Sequence, residues 1–245
     1  MSDNAIQSLK TLCSTCSLRE LCLPVGLQPD EFEQLDMVIR QSRRLRKGEY
    51  LFRAGDAFTA LYAVRAGFFK TNVASQDGRD QVTGFYMSGE LLGMDGISNN
   101  VHSCNAVSLE DSEICELPFA RLEEIGQEIP SLQRHFLRLM SSEIVRDQSI
   151  MLLLGNMKAE ERLAAFLMNL SQRLHSRGFA SNDFILRMSR EEIGSYLGLK
   201  LETVSRTLSK FQQSGLLTVD HKHIRLLKPL ELARMVTGSH EPLAE

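Results

Sequence analysis

No apolar run in this 245-residue chain approaches the roughly 20 residues that a helix needs to cross a bilayer, so no membrane span is expected. The N-terminus, MSDNAIQSLK, lacks a basic start followed by an apolar stretch. The expectation is therefore a cytoplasmic protein with reduced thiols. There is no internal repeat and no low-complexity segment. There is also no nucleotide-phosphate loop and no radical or hydride-transfer motif, and no enzyme is expected. Cysteine is scarce: the chain has five, yet three of them fall in CSTCSLRELC, at Cys13, Cys16 and Cys22. In a reducing compartment, thiols so closely spaced read as metal ligands rather than as a disulfide framework.

What is present is ordinary for a soluble globular protein, with 43% hydrophobic and 24% charged residues, and the length allows two small domains. The net charge of −3 hides an asymmetry. Residues 1–149 hold 15 Lys and Arg against 21 Asp and Glu, and residues 150–245 hold 13 against 10. An acidic front and a mildly basic back suit a sensor joined to a nucleic-acid-binding unit.

Three textures follow one another. Residues 31–41 predict a short helix with Phe32, Leu35 and Ile39 on one face. From about Arg43 to Pro118 come short strand-like runs, with turn signals in AGD, RAG, QDG and SGE at the spacing of a small antiparallel barrel or roll. A helix then starts near Pro130 and Ser131 and runs to about Leu154. Its apolar residues Leu137, Met140, Ile144, Met151 and Leu154 are spaced 3, 4, 7 and 3, and Asp147 occupies the skipped heptad position. This predicts a dimer seam with one acid in it. The alternative is a helix packed on its own barrel with Asp147 at the exposed edge. Two facing carboxylates would oppose association and keep a dimer weak and switchable.

The last texture is EERLAAFLMNLSQRL, a helix; FILRMS, an extended run; and SREEIGSYLGLKLETVSRTLSKFQQSG, a helix, a turn and a second helix. Ser189 with Glu192 has the form of a capping box, and Gly198 falls where a tight turn needs positive φ. Leu201, Val204, Leu208 and Phe211 should form the buried side of the second helix. Glu202, Ser205, Arg206 and Ser209 repeat on the opposite face at i, i+3, i+4 and i+7. Arg can grip the O6 and N7 of guanine, Glu can accept from cytosine, and Ser bonds to base or phosphate. The alternative is an ordinary solvated face. LLTVDHKHIRLL reads as a two-stranded wing whose DHKH turn could touch phosphate.

In this order the residues resemble the cyclic AMP receptor protein and FNR superfamily of bacterial transcription regulators. Within it they are similar to the oxygen-sensing FNR (fumarate and nitrate reduction) branch. The resemblance rests on the C-x2-C-x5-C run, FRAGD, QVTGFYMSGELLG, CELPF, RLMSSEI, DQSIMLLL, AEERLAAFLMNLSQR and EEIGSYLGLKLETVSR. It implies an α+β fold in four parts. Residues 1–30 form a cluster-binding segment, 31–120 an antiparallel β-roll sensor domain, 121–158 a dimerisation helix region, and 159–245 a winged helix-turn-helix DNA-binding domain.

The resemblance also implies one [4Fe–4S] cluster per subunit, held by Cys13, Cys16, Cys22 and Cys115. Four thiolates suit a cubane cluster, but zinc also accepts four sulfurs, and a thiol-redox sensor could use the same residues. Only the family correspondence selects Cys115 over Cys104, whose plain reading is a small core residue. Glu202, Ser205 and Arg206 carry over as the readers of an inverted repeat of the type TTGAT, four base pairs, ATCAA. Asp147 and Ile144 match the family's dimer helix, implying a homodimer with the cluster and a monomer once oxygen converts it. RNA polymerase is the implied second partner, through the loop Gln76–Asp80 and the surface around Met94–Ile97, although both also read as plain turns. Cyclic-nucleotide receptors carry Arg–Ser some ten residues after Gly-Glu-Leu. Here Gly89-Glu90-Leu91 is followed by NNVHSC, whose neutral His102 lacks arginine's permanent charge and fork. Cyclic-nucleotide sensing is not expected.

Overall fold

A computed structural model describes Cys13, Cys16, Leu18, Cys22 and residues 29–38, 42–74 and 80–237. Ile39 and the side chain of Phe32 lie outside the described residues, as does most of the Gln76–Asp80 loop. The chain divides into two units, Met1–Ile144 and Val145–Glu245.

The first unit opens with α1 (Pro29–Val38), whose Leu35 is fully buried. Eight strands follow: β1 (Ser42–Leu45), β2 (Tyr50–Phe52), β3 (Ala60–Ala66), β4 (Phe68–Ala74), β5 (Asp80–Met87), β6 (Leu91–Leu92), β7 (Asn105–Ser108) and β8 (Ser112–Pro118). They form two four-stranded antiparallel sheets, ordered β1-β8-β3-β6 and β2-β7-β4-β5. Side chains from both sheets, among them Phe52, Tyr62, Phe69 and Ile114, meet in the interior of the roll.

β3 and β8 have a second covered face. Leu61, Ala63, Cys115 and Leu117 join Leu35 of α1, Leu122 of α2 (Phe119–Glu128) and Leu132 of α3 (Pro130–Asn156) in a separate apolar cluster. This explains why β3 reads as five consecutive buried residues rather than as an alternation. A strand covered on both sides carries hydrophobes on both. The Ser131 hydroxyl donates to the Glu31 carboxylate at 3.1 Å, tying α1 to the start of α3.

The second unit holds the C-terminal turns of α3, then α4 (Ala159–His175), β9 (Asp183–Ile185), α5 (Arg190–Leu197), α6 (Leu201–Gln213), β10 (Leu217–Asp220), β11 (His223–Leu226) and α7 (Pro229–Thr237). β10, β11 and β9 make a three-stranded antiparallel sheet, so the expected two-stranded wing takes its third strand from the FILRMS run. Leu163, Leu167, Ile193, Leu197, Val204 and Ile224 are buried in this unit.

Candidate nucleic-acid interface and cysteine site

Local chemistry builds the reading element. Ser189 Oγ accepts from the Glu192 N–H at 3.1 Å, and the Glu192 carboxylate accepts from the Ser189 N–H at 2.6 Å, so the capping box is complete in both directions. Gly198 ends α5 in the left-handed region at φ 63°. A Cβ on Gly194 would meet the Leu199 carbonyl at 2.6 Å, so this turn can close only over glycine. Val204, Leu208 and Phe211 are buried, and Glu202, Arg206 and Ser209 are exposed on the other side of α6.

One residue departs from the expected pattern. Leu201 is 44% exposed, so the apolar stripe of α6 is covered only from Val204 onward. Ser205 is half-buried, and its hydroxyl accepts from Arg190 Nη1 at 3.2 Å. Ser209 Oγ donates back to the Ser205 carbonyl at 3.0 Å. Arg190 was missed from sequence, although a cation just inside the N-terminus of the first helix was a usable signal. Glu202 and Arg206 thus stand outward on α6, and Arg190 reaches the same helix at Ser205.

In the wing, Asp183 takes hydrogen bonds from His223 and from Arg225 Nε (2.8 Å), which hold its carboxyl below the usual carboxylate range. This fastens β9 to β11. The turn itself presents His221, at φ 53°, and Lys222, whose ammonium donates to the Arg187 carbonyl at 3.2 Å.

The cysteine site draws on distant parts of the first unit. The Cys16 N–H donates to the Cys13 carbonyl at 3.1 Å, and the Cys22 N–H to the Leu18 carbonyl at 3.0 Å. Cys13 and Cys22 pack against the apolar cluster that contains Cys115, and Cys16 is close enough to both Cys13 and Cys115 to act on them electrostatically. The structure therefore brings together all four expected cysteines. Cys104 lies apart, buried in the interior of the roll. Burial is the main reason the Cys13 thiol is pushed up, with Cys22 and Asp36 adding to it; burial also pushes Cys115 up to about 11. Such thiols stay protonated until a metal offsets the cost of their charge. Among the described residues no three His, Cys, Asp or Glu side chains converge as the site of one ion requires. Four thiols are the donor chemistry of an iron–sulfur cluster, and zinc accepts the same set.

Two residues that secure this segment were not legible in the sequence. The Asp36 carboxylate of α1 accepts a short hydrogen bond from the Cys13 N–H, 23 positions away. His135 of α3 is hydrogen-bonded to the Cys22 main chain, while its Nε2 is buried without a hydrogen-bond partner. Burial lowers its pKa. No spacing rule links residues so far apart.

The face of α3 expected as a seam is open in the single chain. Leu137, Ile144 (57%), Val145, Met151 (68%) and Leu152 are exposed, as is Asp147, while Met140 and Leu154 are partly covered. The loop after Gly89-Glu90-Leu91 is turned inward. The His102 ring stacks on Phe52 with centroids 3.7 Å apart, its Nδ1 faces Asp95 at 3.3 Å, and Ser103 donates to Asp95 through its N–H and its hydroxyl. Glu90 accepts from the Met87 N–H at 3.0 Å. An acid at the centre of this network is unsuited to a cyclic phosphate. Met94 and Ile97 pack partly buried against the cysteine-bearing cluster.

Residues 42–128 match the cyclic nucleotide-binding domain family and residues 161–235 the Crp-like helix-turn-helix domain family. Transcriptional activator protein Anr of Pseudomonas protegens is 46% identical over 94% of each chain. The fumarate and nitrate reduction regulatory protein of Escherichia coli is 44% identical over 91% of this chain and 89% of its own. Among solved structures, FixK2 from Bradyrhizobium japonicum superposes with a TM-score of 0.74 at 28% identity, covering 84% of this chain and 98% of that one. No described helix is long and apolar enough to cross a membrane.

Proposed function

The chain belongs to the CRP/FNR family of transcription regulators, in its FNR/Anr branch, and from that premise we propose that it reads oxygen through a [4Fe–4S] cluster and reports it as DNA binding. It is a DNA-binding regulator and not an enzyme. The observation that carries the oxygen reading is the gathering of Cys13, Cys16 and Cys22 around the cluster of side chains that holds Cys115. These four residues would hold one cluster per subunit, and the group, when bound, supplies oxygen-reactive iron.

The chain's own residues do the rest. Holding the four thiols together joins the N-terminal segment to β8, and the contact of His135 with Cys22 extends that tie to α3. The open apolar face of α3 forms a two-fold seam with a second copy, in which Ile144, Met140 and Met151 attract while the two Asp147 carboxylates repel. A tie worth about 1–3 kcal/mol suffices to move so finely balanced an equilibrium. The dimer places two α6 helices on an inverted repeat of the TTGAT, four base pairs, ATCAA type, with Glu202, Ser205, Arg206 and Ser209 at the bases and backbone. RNA polymerase is the second partner, and its contact turns this binding into a change in transcription.

The test is an anaerobic visible absorption spectrum with iron and sulfide counts, then air exposure while oligomeric state and DNA binding are followed. A visible band that bleaches in air as dimer falls to monomer is expected. A colourless, air-indifferent dimer that contains zinc would overturn the oxygen reading and make the cysteines a structural clip.

A further inference from the structure

Arg162, in the first turn of α4, has no part in the reading above, yet its guanidinium ties three pieces of the C-terminal unit together. Nη2 donates to the Leu154 carbonyl at 2.8 Å, Nε to the Met157 carbonyl at 2.9 Å and Nη1 to the Leu197 carbonyl at 3.0 Å. Leu154 lies in the last turn of α3, Met157 in the connection to α4, and Leu197 is the last residue of α5. The last four carbonyls of a helix lack intrahelical partners and carry the negative end of its dipole. A single planar cation thus serves the C-terminal ends of two helices at once, which the point charge of lysine cannot do with the same geometry. The turn after α5 leaves room for it. A Cβ on Gly198 would approach Arg162 Nη1 to 3.4 Å and a Leu154 methyl to 3.5 Å. Along the backbone, only Met157 and Lys158 separate α3 from α4, so the orientation of the reading motif on the end of α3 depends on such side-chain ties.

We propose that Arg162 is a positioning residue for DNA recognition: it locks the last turn of α3 to the first helix of the reading motif and so fixes the spacing of half-sites that a dimer accepts. The proposal rests on the two-fold DNA-binding dimer described above. Its particular consequence concerns geometry rather than affinity. One added base pair turns a half-site by about 35° and moves it by about 3.4 Å. A rigid α3–α5 joint rejects that displacement, and a loosened joint follows it. An arginine needed only for domain stability would weaken binding to every site alike.

The experiment uses full-length protein, reconstituted and assayed anaerobically, with R162K and R162Q beside the natural chain. Affinities are measured by fluorescence anisotropy for inverted repeats with spacers of three, four and five base pairs and for a single half-site. The natural protein should prefer the four-base-pair spacer by about tenfold or more, and both variants should fall to about threefold or less while keeping half-site affinity. An unchanged spacer preference in the variants overturns the proposal. So does loss of half-site binding in both, which would make Arg162 a residue of the domain's stability alone. If the natural protein itself ignores the inverted repeat, it is the functional reading that fails, and that result appears before any variant is compared.

Discussion

α6 and α3 carry the same kind of apolar periodicity and meet opposite fates. In α6, Val204, Leu208 and Phe211 are covered by their own unit, and the polar face that remains is the one proposed above to read DNA. In α3, Leu132 is buried with the roll, but from Leu137 onward Ile144, Val145, Met151 and Leu152 stand in solvent. A helix whose apolar face is covered within its chain has only its polar face left for recognition; one whose apolar face is left open has a surface that a second chain could bury, which is the basis of the proposed dimer.

The sharpest way to test the contrast is to remove one apolar side chain from each helix. Phe211→Ala should cost about 3–5 kcal/mol of the stability of the C-terminal unit, read by thermal or urea unfolding. Met151→Ala, already 68% exposed in the monomer, should leave that unfolding transition in place and weaken only the dimer, read by sedimentation. If the two variants behaved alike, the difference between the helices would be illusory.

Removing the acid from the seam acts in the other direction. Asp147→Ala should strengthen association by about 1–3 kcal/mol and produce a dimer that persists in air. A monomeric Asp147→Ala protein in air would mean that carboxylate repulsion does not set the balance.

On α6, Arg206→Ala should cost about 1–3 kcal/mol of specific DNA binding and relax the preference at one base of each half-site. An equal loss on all sequences would reassign Arg206 to the phosphates. The smallest change is Ser189→Ala, which breaks one side of the capping box and should cost about 1 kcal/mol of stability with little change in sequence preference.

The helix-turn-helix was legible because its signals are local. The Ser189–Glu192 cap, the positive φ at Gly198 and the heptad of Val204, Leu208 and Phe211 each act within a turn or two of helix. Leu201 broke the pattern because periodicity gives a direction around the helix and not the point where the core ends. The long helix was also visible, running from Pro130 to Asn156. Its 3-4 spacing predicted a seam, and the exposure of Leu137, Ile144 and Met151 agrees with an open face, although the same spacing also serves a helix packed on its own barrel.

The cysteines mark where sequence reasoning stops. C-x2-C-x5-C indicated metal chemistry, yet nothing in the residues alone preferred Cys115 to Cys104. The packing of the fold separates the two. β8 turns Cys115 to the face covered by α1, α2 and α3, while Cys104 falls in the interior of the roll. The supports of the segment, Asp36 and His135, and the clamp of Arg162 on Leu154, Met157 and Leu197 came from the folded chain alone. Caps, turns and periodicity are set by neighbours a few residues apart, and the sequence by itself determined them. Which thiol meets which, and which carbonyls share one guanidinium, depends on contacts between residues tens of positions apart, and only the packed tertiary structure decided those.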